Sequence, residues 1–200
     1  VPVVTGTGDA RRRIRDTGLK QVSFVHGSVD VLSILTLLDM ALSTDVDSVK
    51  KGGVFVDLGC GEGSVVAAAT VHESGFSEVR GVELLSGKLT TCREMMAELT
   101  AVLAVSWGIQ LPRVRLIQSN FLEHNVSDAD VVYACATCYA EDLMSGLLEQ
   151  VRSLKRGARV ILVDKWLGDA EMAGCGLRRV GGMQVKTTWG DAMVLVFEKE

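Results

Sequence analysis

The sequence predicts an α/β fold in which helices cover both faces of a seven-stranded, mostly parallel sheet with a reversed C-terminal hairpin. Two observations lead to this prediction. Short apolar runs of strand length alternate with longer amphipathic segments between residues 54 and 164, and such alternation gives parallel strands joined by right-handed crossovers. The last two predicted strands follow each other with no helix between them, so one of them must run against the rest.

Apolar spacing and turn residues define each element in chain order. Apolar residues recur at helical spacing over 28–42, with Ser28 as the N-cap. The apolar run 54–58 ends in glycines and is typical of a buried strand, and the alanine-rich stretch 64–73 predicts a helix. The other predicted helices are 86–105 and 141–154, and the other strands are 79–83, 113–117, 130–135, 159–164, 183–188 and 192–198. A turn at residues 189–191 joins the last two strands.

Length and composition indicate one globular domain. The chain has 200 residues, of which 48% are hydrophobic and 23% are charged, the balance of an ordinary soluble protein. No apolar stretch approaches the ~20 residues of a membrane span. The five cysteines are an odd number without framework spacing, which favours reduced thiols in an intracellular protein. We expect an irregular N-terminal arm over residues 1–27 and the folded domain over 28–200.

Charge is unevenly distributed along the chain. The net charge of −4 argues against a protein coated with nucleic acid, yet the arm carries Arg11, Arg12, Arg13 and Arg15. Two interpretations of this cluster stay open. It is either a solvated run of charge or an arm that contacts nucleic acid or an acidic partner.

The most specific signal is a glycine loop between a strand and a helix. Asp57 ends the strand, and Gly59, Gly61 and Gly63 follow at alternate positions. Glycines allow a ligand to approach the backbone closely, and the following helix offers free amide groups. Glu83 ends the next strand, where an acidic residue accepts the hydroxyls of a ribose. Dinucleotide sites use a different glycine spacing, and the Asp57 carboxylate suits an ammonium group better than a pyrophosphate. S-adenosylmethionine carries an ammonium and no phosphate, so it is the predicted cofactor.

The run VDLGCGEG resembles the first motif of the class I S-adenosylmethionine-dependent methyltransferases, whose fold is Rossmann-like. The resemblance implies that Asp57 and the three glycines hold the methionine part of the cofactor and that Glu83 holds the ribose. It also implies that Asn120 hydrogen-bonds the exocyclic amine of adenine and that Phe121 packs on its ring.

The sequence at the end of the fourth strand narrows the choice of methyl acceptor. No Asn/Asp-Pro-Pro-Tyr motif follows this strand, which argues against methylation of an exocyclic amine of adenine or glutamine. Cys135 and Cys138 form a C-x-x-C without a second pair or clustered histidines, so we predict no metal site.

Several segments resemble the catalytic core of the Dot-type histone lysine methyltransferases. They are residues 22–28, 55–59, 119–122, 131–133, 157–161, 165–166 and 188–190, in this order and spacing. His26-Gly27-Ser28 replaces the family's Tyr-Gly-Glu, and Cys135-Ala136 stands where asparagine is expected. The resemblance implies transfer of a methyl group to lysine in a histone-like or other basic protein, in the nucleus, cytoplasm or mitochondrion.

An apolar channel with aromatic walls would lower the pKa of a lysine and hold its methylated forms. Tyr139, Trp189 and Phe24 are the candidate channel residues, and Trp166 is a weaker one. Residues 1–27 are predicted to include, besides the basic arm, a lid loop that covers the cofactor, and His26 in this loop is a candidate contact for the carboxylate of the cofactor. Two other classes remain open from the residues alone: a small-molecule or RNA methyltransferase on the same fold, and a non-catalytic partner subunit.

Overall fold

A computed structural model describes Val29 and residues 31–42, 52–72, 75–107 and 111–200. The predicted arm and lid loop, with Phe24, His26 and the four arginines at positions 11–13 and 15, lie outside the described residues. The described part of the chain contains seven strands and five α-helices, and the seven strands form one sheet in the order β3-β2-β1-β4-β5-β7-β6. The strands β1–β5 are parallel and β7 runs against β5 and β6, which confirms the predicted architecture.

The elements follow the predicted order closely. The strands are β1 (Val54–Leu58), β2 (Glu78–Glu83), β3 (Arg113–Gln118), β4 (Val131–Cys135), β5 (Arg159–Val163), β6 (Leu177–Thr187) and β7 (Gly190–Lys199). The helices are α1 (Val31–Leu42), α2 (Ser64–Val71), α3 (Ser86–Trp107), α4 (Glu141–Arg152) and α5 (Asp169–Cys175). A short 3-10 helix covers Phe121–Glu123.

Two differences from the sequence prediction concern the C-terminal part of the domain. Strand β6 begins at Leu177, six residues before the predicted start, and contains a register shift between Arg179 and Gly181. Its glycines and its exposed charged side chains conceal the strand pattern. Helix α5 was not predicted, because its seven residues are too few to give an apolar periodicity.

The core lies in two layers, one on each face of the sheet. Helices α1, α2 and α3 cover one face, where Ile34, Leu37 and Leu38 of α1 are at most 1% exposed. Helices α4 and α5 cover the other face. Because β1–β5 are parallel, their carboxyl ends meet at one edge of the sheet, where a ligand site is expected at the point at which the strand order reverses. We refer to this edge as the carboxyl edge.

A bridge between distant parts of the chain fixes the beginning of the described domain. Val29 pairs with Thr187 near the tip of the β6–β7 hairpin. The guanidinium of Arg159, which is fully buried, donates to the carbonyl of Ala41 at 3.0 Å and pairs with Glu198 at 2.8 Å. Helix α1 is therefore attached to the C-terminal strands at both of its ends.

Candidate functional site

The glycine loop between β1 and α2 is held by the end of β2. The amides of Gly59 and Cys60 donate to the carbonyl of Val82 at 2.9 and 3.0 Å. The amide of Gly63 closes the turn on the carbonyl of Cys60 at 2.9 Å. The loop thus turns over the carboxyl ends of β1 and β2 and leads directly into α2, whose N-cap is Gly63 and has no side-chain cap.

The three glycines of this loop differ in why a side chain would not fit there. All have positive φ angles, 92° at Gly59, 55° at Gly61 and 94° at Gly63, a conformation that L-residues with side chains rarely adopt. A Cβ at Gly63 would overlap the sulfur of Cys92, so this glycine is required for packing. A Cβ at Gly61 would meet no described atom within 4 Å. Gly61 therefore borders space that no described atom fills.

Glu83 is tied into the same loop by both carboxylate oxygens. Oε2 accepts from the amide of Gly61 at 2.9 Å, and Oε1 accepts from the amide of Leu85 at 2.8 Å. The side chain is only 7% exposed. Each carboxylate oxygen retains a further lone-pair direction for a ligand. The predicted ribose contact thus has a second role, which sequence reasoning missed: it positions the glycine loop.

Asp57 is a buried carboxylate with an uncompensated oxygen. It is 2% exposed, and its Oδ2 has no partner among the described residues. Burial raises the pKa of Asp57 well above its usual range, and the nearby Cys92 and Glu83 raise it further. Such a group favours a cationic ligand, which would restore the charged form.

The predicted adenine residues lie after β3 at the carboxyl edge. The Oδ1 of Asn120 accepts from the amide of Leu122 at 3.1 Å and so caps the 3-10 helix. The ring of Phe121 stacks on that of Tyr139, with centroids 5.6 Å apart and planes 21° apart. The Tyr139 hydroxyl donates to the carbonyl of Leu58 at 3.0 Å. Tyr139 therefore joins Phe121 and the glycine strand, on the side predicted for the cofactor.

A polar cluster at the ends of β4 and β5 was not predicted. Asp164 follows β5 with a φ of 52°, and it is the only described residue other than glycine with a positive φ. Its Oδ2 accepts from the Thr137 hydroxyl at 3.2 Å and from the Trp189 indole at 3.4 Å, while Oδ1 accepts from the Met193 amide at 2.9 Å. We call Asp164, Thr137 and Trp189 the Asp164 cluster. An aspartate directly after a parallel strand is the sequence signal that could have indicated it.

Of the remaining candidates that the structure describes, only Cys135 contacts this cluster, since its Sγ lies 3.7 Å from the Thr137 hydroxyl. Trp166 is 62% exposed and lies 5.1 Å from the guanidinium of Arg179. Cys135 and Cys138 are free thiols, and burial chiefly raises the pKa of Cys135 to about 11. No group of three or more metal-binding side chains occurs among the described residues. None of the helices in the described ranges is long and apolar enough to cross a membrane.

The strand order, the glycine loop and the acidic residue at the end of β2 define a class I S-adenosylmethionine-dependent methyltransferase domain. The model of the family described as "Histone methylation protein DOT1" matches residues 24–171. The chain belongs to this DOT1 family, as its motifs predicted.

Sequence identity to an individual relative is low. A histone-lysine N-methyltransferase of Gibberella zeae, specific for lysine 79 of histone H3, is 28% identical over 124 residues, which cover 60% of this chain and 24% of that protein. The chain thus spans about a quarter of the length of that relative.

Solved structures share the fold. Magnesium protoporphyrin IX methyltransferase from Synechocystis PCC 6803 with bound S-adenosylmethionine has a TM-score of 0.60 at 13% identity, covering 97% of this chain and 85% of the other. An RNA methyltransferase from Salinibacter ruber in complex with S-adenosylhomocysteine has a TM-score of 0.50 at 23% identity, covering 82% and 92%.

The residues present fit S-adenosylmethionine, the cofactor of this class. The orphaned oxygen of Asp57 suits the ammonium of the methionine part, the space beside Gly61 admits a ligand, and Glu83 retains acceptor capacity for ribose hydroxyls. When bound, the cofactor supplies an electrophilic methyl group on its sulfonium. The protein's part is to bind it, to orient the acceptor and to exclude water.

Proposed function

We propose that this domain is a protein-lysine N-methyltransferase that acts on a histone-like or other basic protein. Membership of the DOT1 family and the activity printed for the Gibberella zeae relative support the lysine acceptor. The net charge of −4 agrees with a basic substrate, since opposite charge accelerates encounter.

The observation that carries the proposal is the Asp164 cluster. Trp189 is 37% exposed, so part of it is accessible to a substrate, and its Nε1 donates to the Asp164 carboxylate at 3.4 Å. Both residues lie at the carboxyl edge, as does the glycine loop. An aromatic face attracts an ammonium and its methylated forms, and a carboxylate beside it adds to that attraction. In this proposal the Asp164 cluster receives the lysine, with Tyr139 and Phe24 as further walls of the channel.

The lysine must lose its proton before it attacks, and its ordinary pKa is about 10.4. Apolar surroundings at the carboxyl edge favour the neutral amine by desolvation. Val163, the last residue of β5, and Ala136, directly after β4, are buried and supply such surroundings beside Asp164. The proposed role of the Asp164 cluster is therefore to collect the cationic lysine at a site where its neutral form is then stabilised.

A methyl-transfer assay tests the acceptor class. The protein is incubated with radiolabelled S-adenosylmethionine and, in parallel, nucleosomes, free histones, bulk RNA and a cell lysate. Label on a histone or another protein band, located on lysine by mass spectrometry, supports the proposal. Label on RNA or in the small-molecule fraction refutes the lysine acceptor and favours the other class that the sequence left open. No label with any acceptor, despite cofactor binding, favours a non-catalytic subunit.

Variants of the aromatic residues test the cluster itself. Trp189→Ala should lower transfer to protein at least tenfold while the affinity for S-adenosylhomocysteine stays within about twofold. Trp166→Ala is the matched control, because this tryptophan is more exposed and contacts Arg179 instead. Equal loss of transfer and of cofactor affinity in Trp189→Ala would make Trp189 a structural residue.

The N-terminal arm belongs to the same proposal. Arg11, Arg12, Arg13 and Arg15 would contact nucleic acid next to a histone substrate, and His26 would close over the cofactor carboxylate. Deletion of residues 1–15 should reduce transfer to nucleosomes more than transfer to free histones. Equal transfer to both after the deletion would show that the arm is only solvated.

A further inference from the structure

Two buried polar atoms without partners lie on neighbouring strands of the sheet. They are Oδ2 of Asp57 in β1 and the hydroxyl of Tyr133 in β4, and neither has a hydrogen-bond partner among the described residues. Both side chains are 2% exposed. Asp57 and Tyr133 are direct partners in the parallel register. Adjacent strands lie about 4.8 Å apart, and residues in register project to the same face, so the two side chains are neighbours.

An unpaired hydroxyl is not what packing alone would select. The ring of Tyr133 belongs to the core layer beneath α1, where a phenylalanine would fill the same volume. Leaving a buried hydroxyl unpaired destabilises the folded state. Buried polar groups are nearly always hydrogen-bonded, and an exception calls for a specific reason. A ligand that brings hydrogen-bond donors to this position would be such a reason.

The electrostatic surroundings indicate the charge of that ligand. Burial raises the pKa of Tyr133, and Cys135, Asp57, Tyr139 and Asp164 each raise it further. The hydroxyl is therefore neutral and lies within range of four groups gathered at the carboxyl edge. None of these four groups is a cation. A cationic ligand with several N–H donors complements this arrangement.

We propose that the Tyr133 hydroxyl binds, together with Asp57, the α-ammonium of the methionine part of the cofactor. The ammonium donates one hydrogen bond to Oδ2 of Asp57 and a second to the hydroxyl oxygen of Tyr133. Both orphaned atoms gain partners in this way, and the buried carboxylate gains a counter-charge.

Two ligands separate this role from a general contribution to the site. S-adenosylhomocysteine carries the ammonium, whereas 5′-methylthioadenosine has the same adenosine and thioether but no amino-acid part. We expect Tyr133→Phe to weaken S-adenosylhomocysteine about tenfold by calorimetry. Its affinity for 5′-methylthioadenosine should stay within about twofold. The melting temperature of the ligand-free variant should be equal to or above that of the unchanged protein, because an unpaired buried hydroxyl has been removed.

Tyr139→Phe is the matched control, since the chain has two tyrosines and the hydroxyl of Tyr139 already has a partner in the Leu58 carbonyl. Loss of the Tyr139 hydroxyl should lower the melting temperature, and the variant should bind the two ligands with the same relative affinities as the unchanged protein. The proposal is overturned if Tyr133→Phe binds both ligands as the unchanged protein does, or if it weakens both equally. The test uses no methyl acceptor, so its outcome is independent of the lysine proposal.

Discussion

Glu83 connects cofactor binding to the shape of the glycine loop, and its removal should affect both. In Glu83→Ala the amides of Gly61 and Leu85 lose their acceptors. Two charge-assisted bonds at a site that is 7% exposed are worth about 3 kcal/mol of unfolding free energy together. For a domain of this size that loss lowers the melting temperature by roughly 10 °C. Loss of the ribose contact should cost about a further 2 kcal/mol of S-adenosylhomocysteine binding, or roughly thirtyfold in affinity.

Calorimetric titration and thermal unfolding of the same samples separate the two effects. The control is Glu78→Ala, at the opposite end of the same strand, where the carboxylate pairs with Arg80 and not with the loop. This control should lose stability but keep its affinity for S-adenosylhomocysteine. Unchanged affinity in Glu83→Ala would refute the ribose contact, and an unchanged melting temperature would refute the role of Glu83 in positioning the loop.

Four further substitutions have expected outcomes of known sign. Gly63→Ala should cost at least about 2 kcal/mol of stability, because the new Cβ overlaps Cys92 and the φ is 94°. Gly61→Ala should cost only about 1 kcal/mol of stability but should strongly weaken the binding of S-adenosylhomocysteine. Urea unfolding measures the first effect and calorimetry the second. Burial raises the folded-state pKa of Asp57, so the stability of the protein falls as the pH rises from about 3.9 through the raised value. Asp57→Asn should therefore melt at a higher temperature than the unchanged protein at pH 7, and this difference should shrink towards pH 3. The same variant should bind S-adenosylhomocysteine more weakly. Arg159→Ala should lose about 3–5 kcal/mol in urea unfolding, because removal of this fully buried guanidinium leaves the Ala41 carbonyl without its donor and leaves Glu198 with only the exposed Arg178. A loss below about 1 kcal/mol would contradict this account.

The parallel part of the sheet could be predicted because β1, β4 and β5 are mostly apolar and β1 and β2 end with an acidic residue or beside a glycine. In strand β1, an apolar run that begins at Val54 and reaches the acidic Asp57 is enough to predict the strand. Strand β6 has the opposite character, since it lies at the edge of the sheet, Arg178 and Arg179 are exposed, and Gly181 offers no apolar side chain to the pattern. Its first six residues were missed for this reason.

Site residues that belong to a local sequence motif could be predicted. Contacts between residues that are far apart in the sequence could not. Asp57 and Glu83 lie at strand ends and Gly61 lies in the adjoining loop, so the local sequence alone indicates their chemistry. The bond from Trp189 to Asp164 spans 25 residues and depends on the reversed hairpin, which brings its tip to the carboxyl edge. The orphaned hydroxyl of Tyr133 depends on register between β1 and β4, which no local pattern specifies.

The attachment of α1 to the last strands has a consequence for synthesis on the ribosome. Helix α1 is translated well before Arg159, Thr187 and Glu198, which fix its two ends. Until then its apolar face, with Ile34 and Leu37, has no complete surface to cover it, and such exposed segments are prone to aggregate. Nascent chains halted before β5 should therefore engage chaperones through this helix and release them only when the C-terminal hairpin has formed.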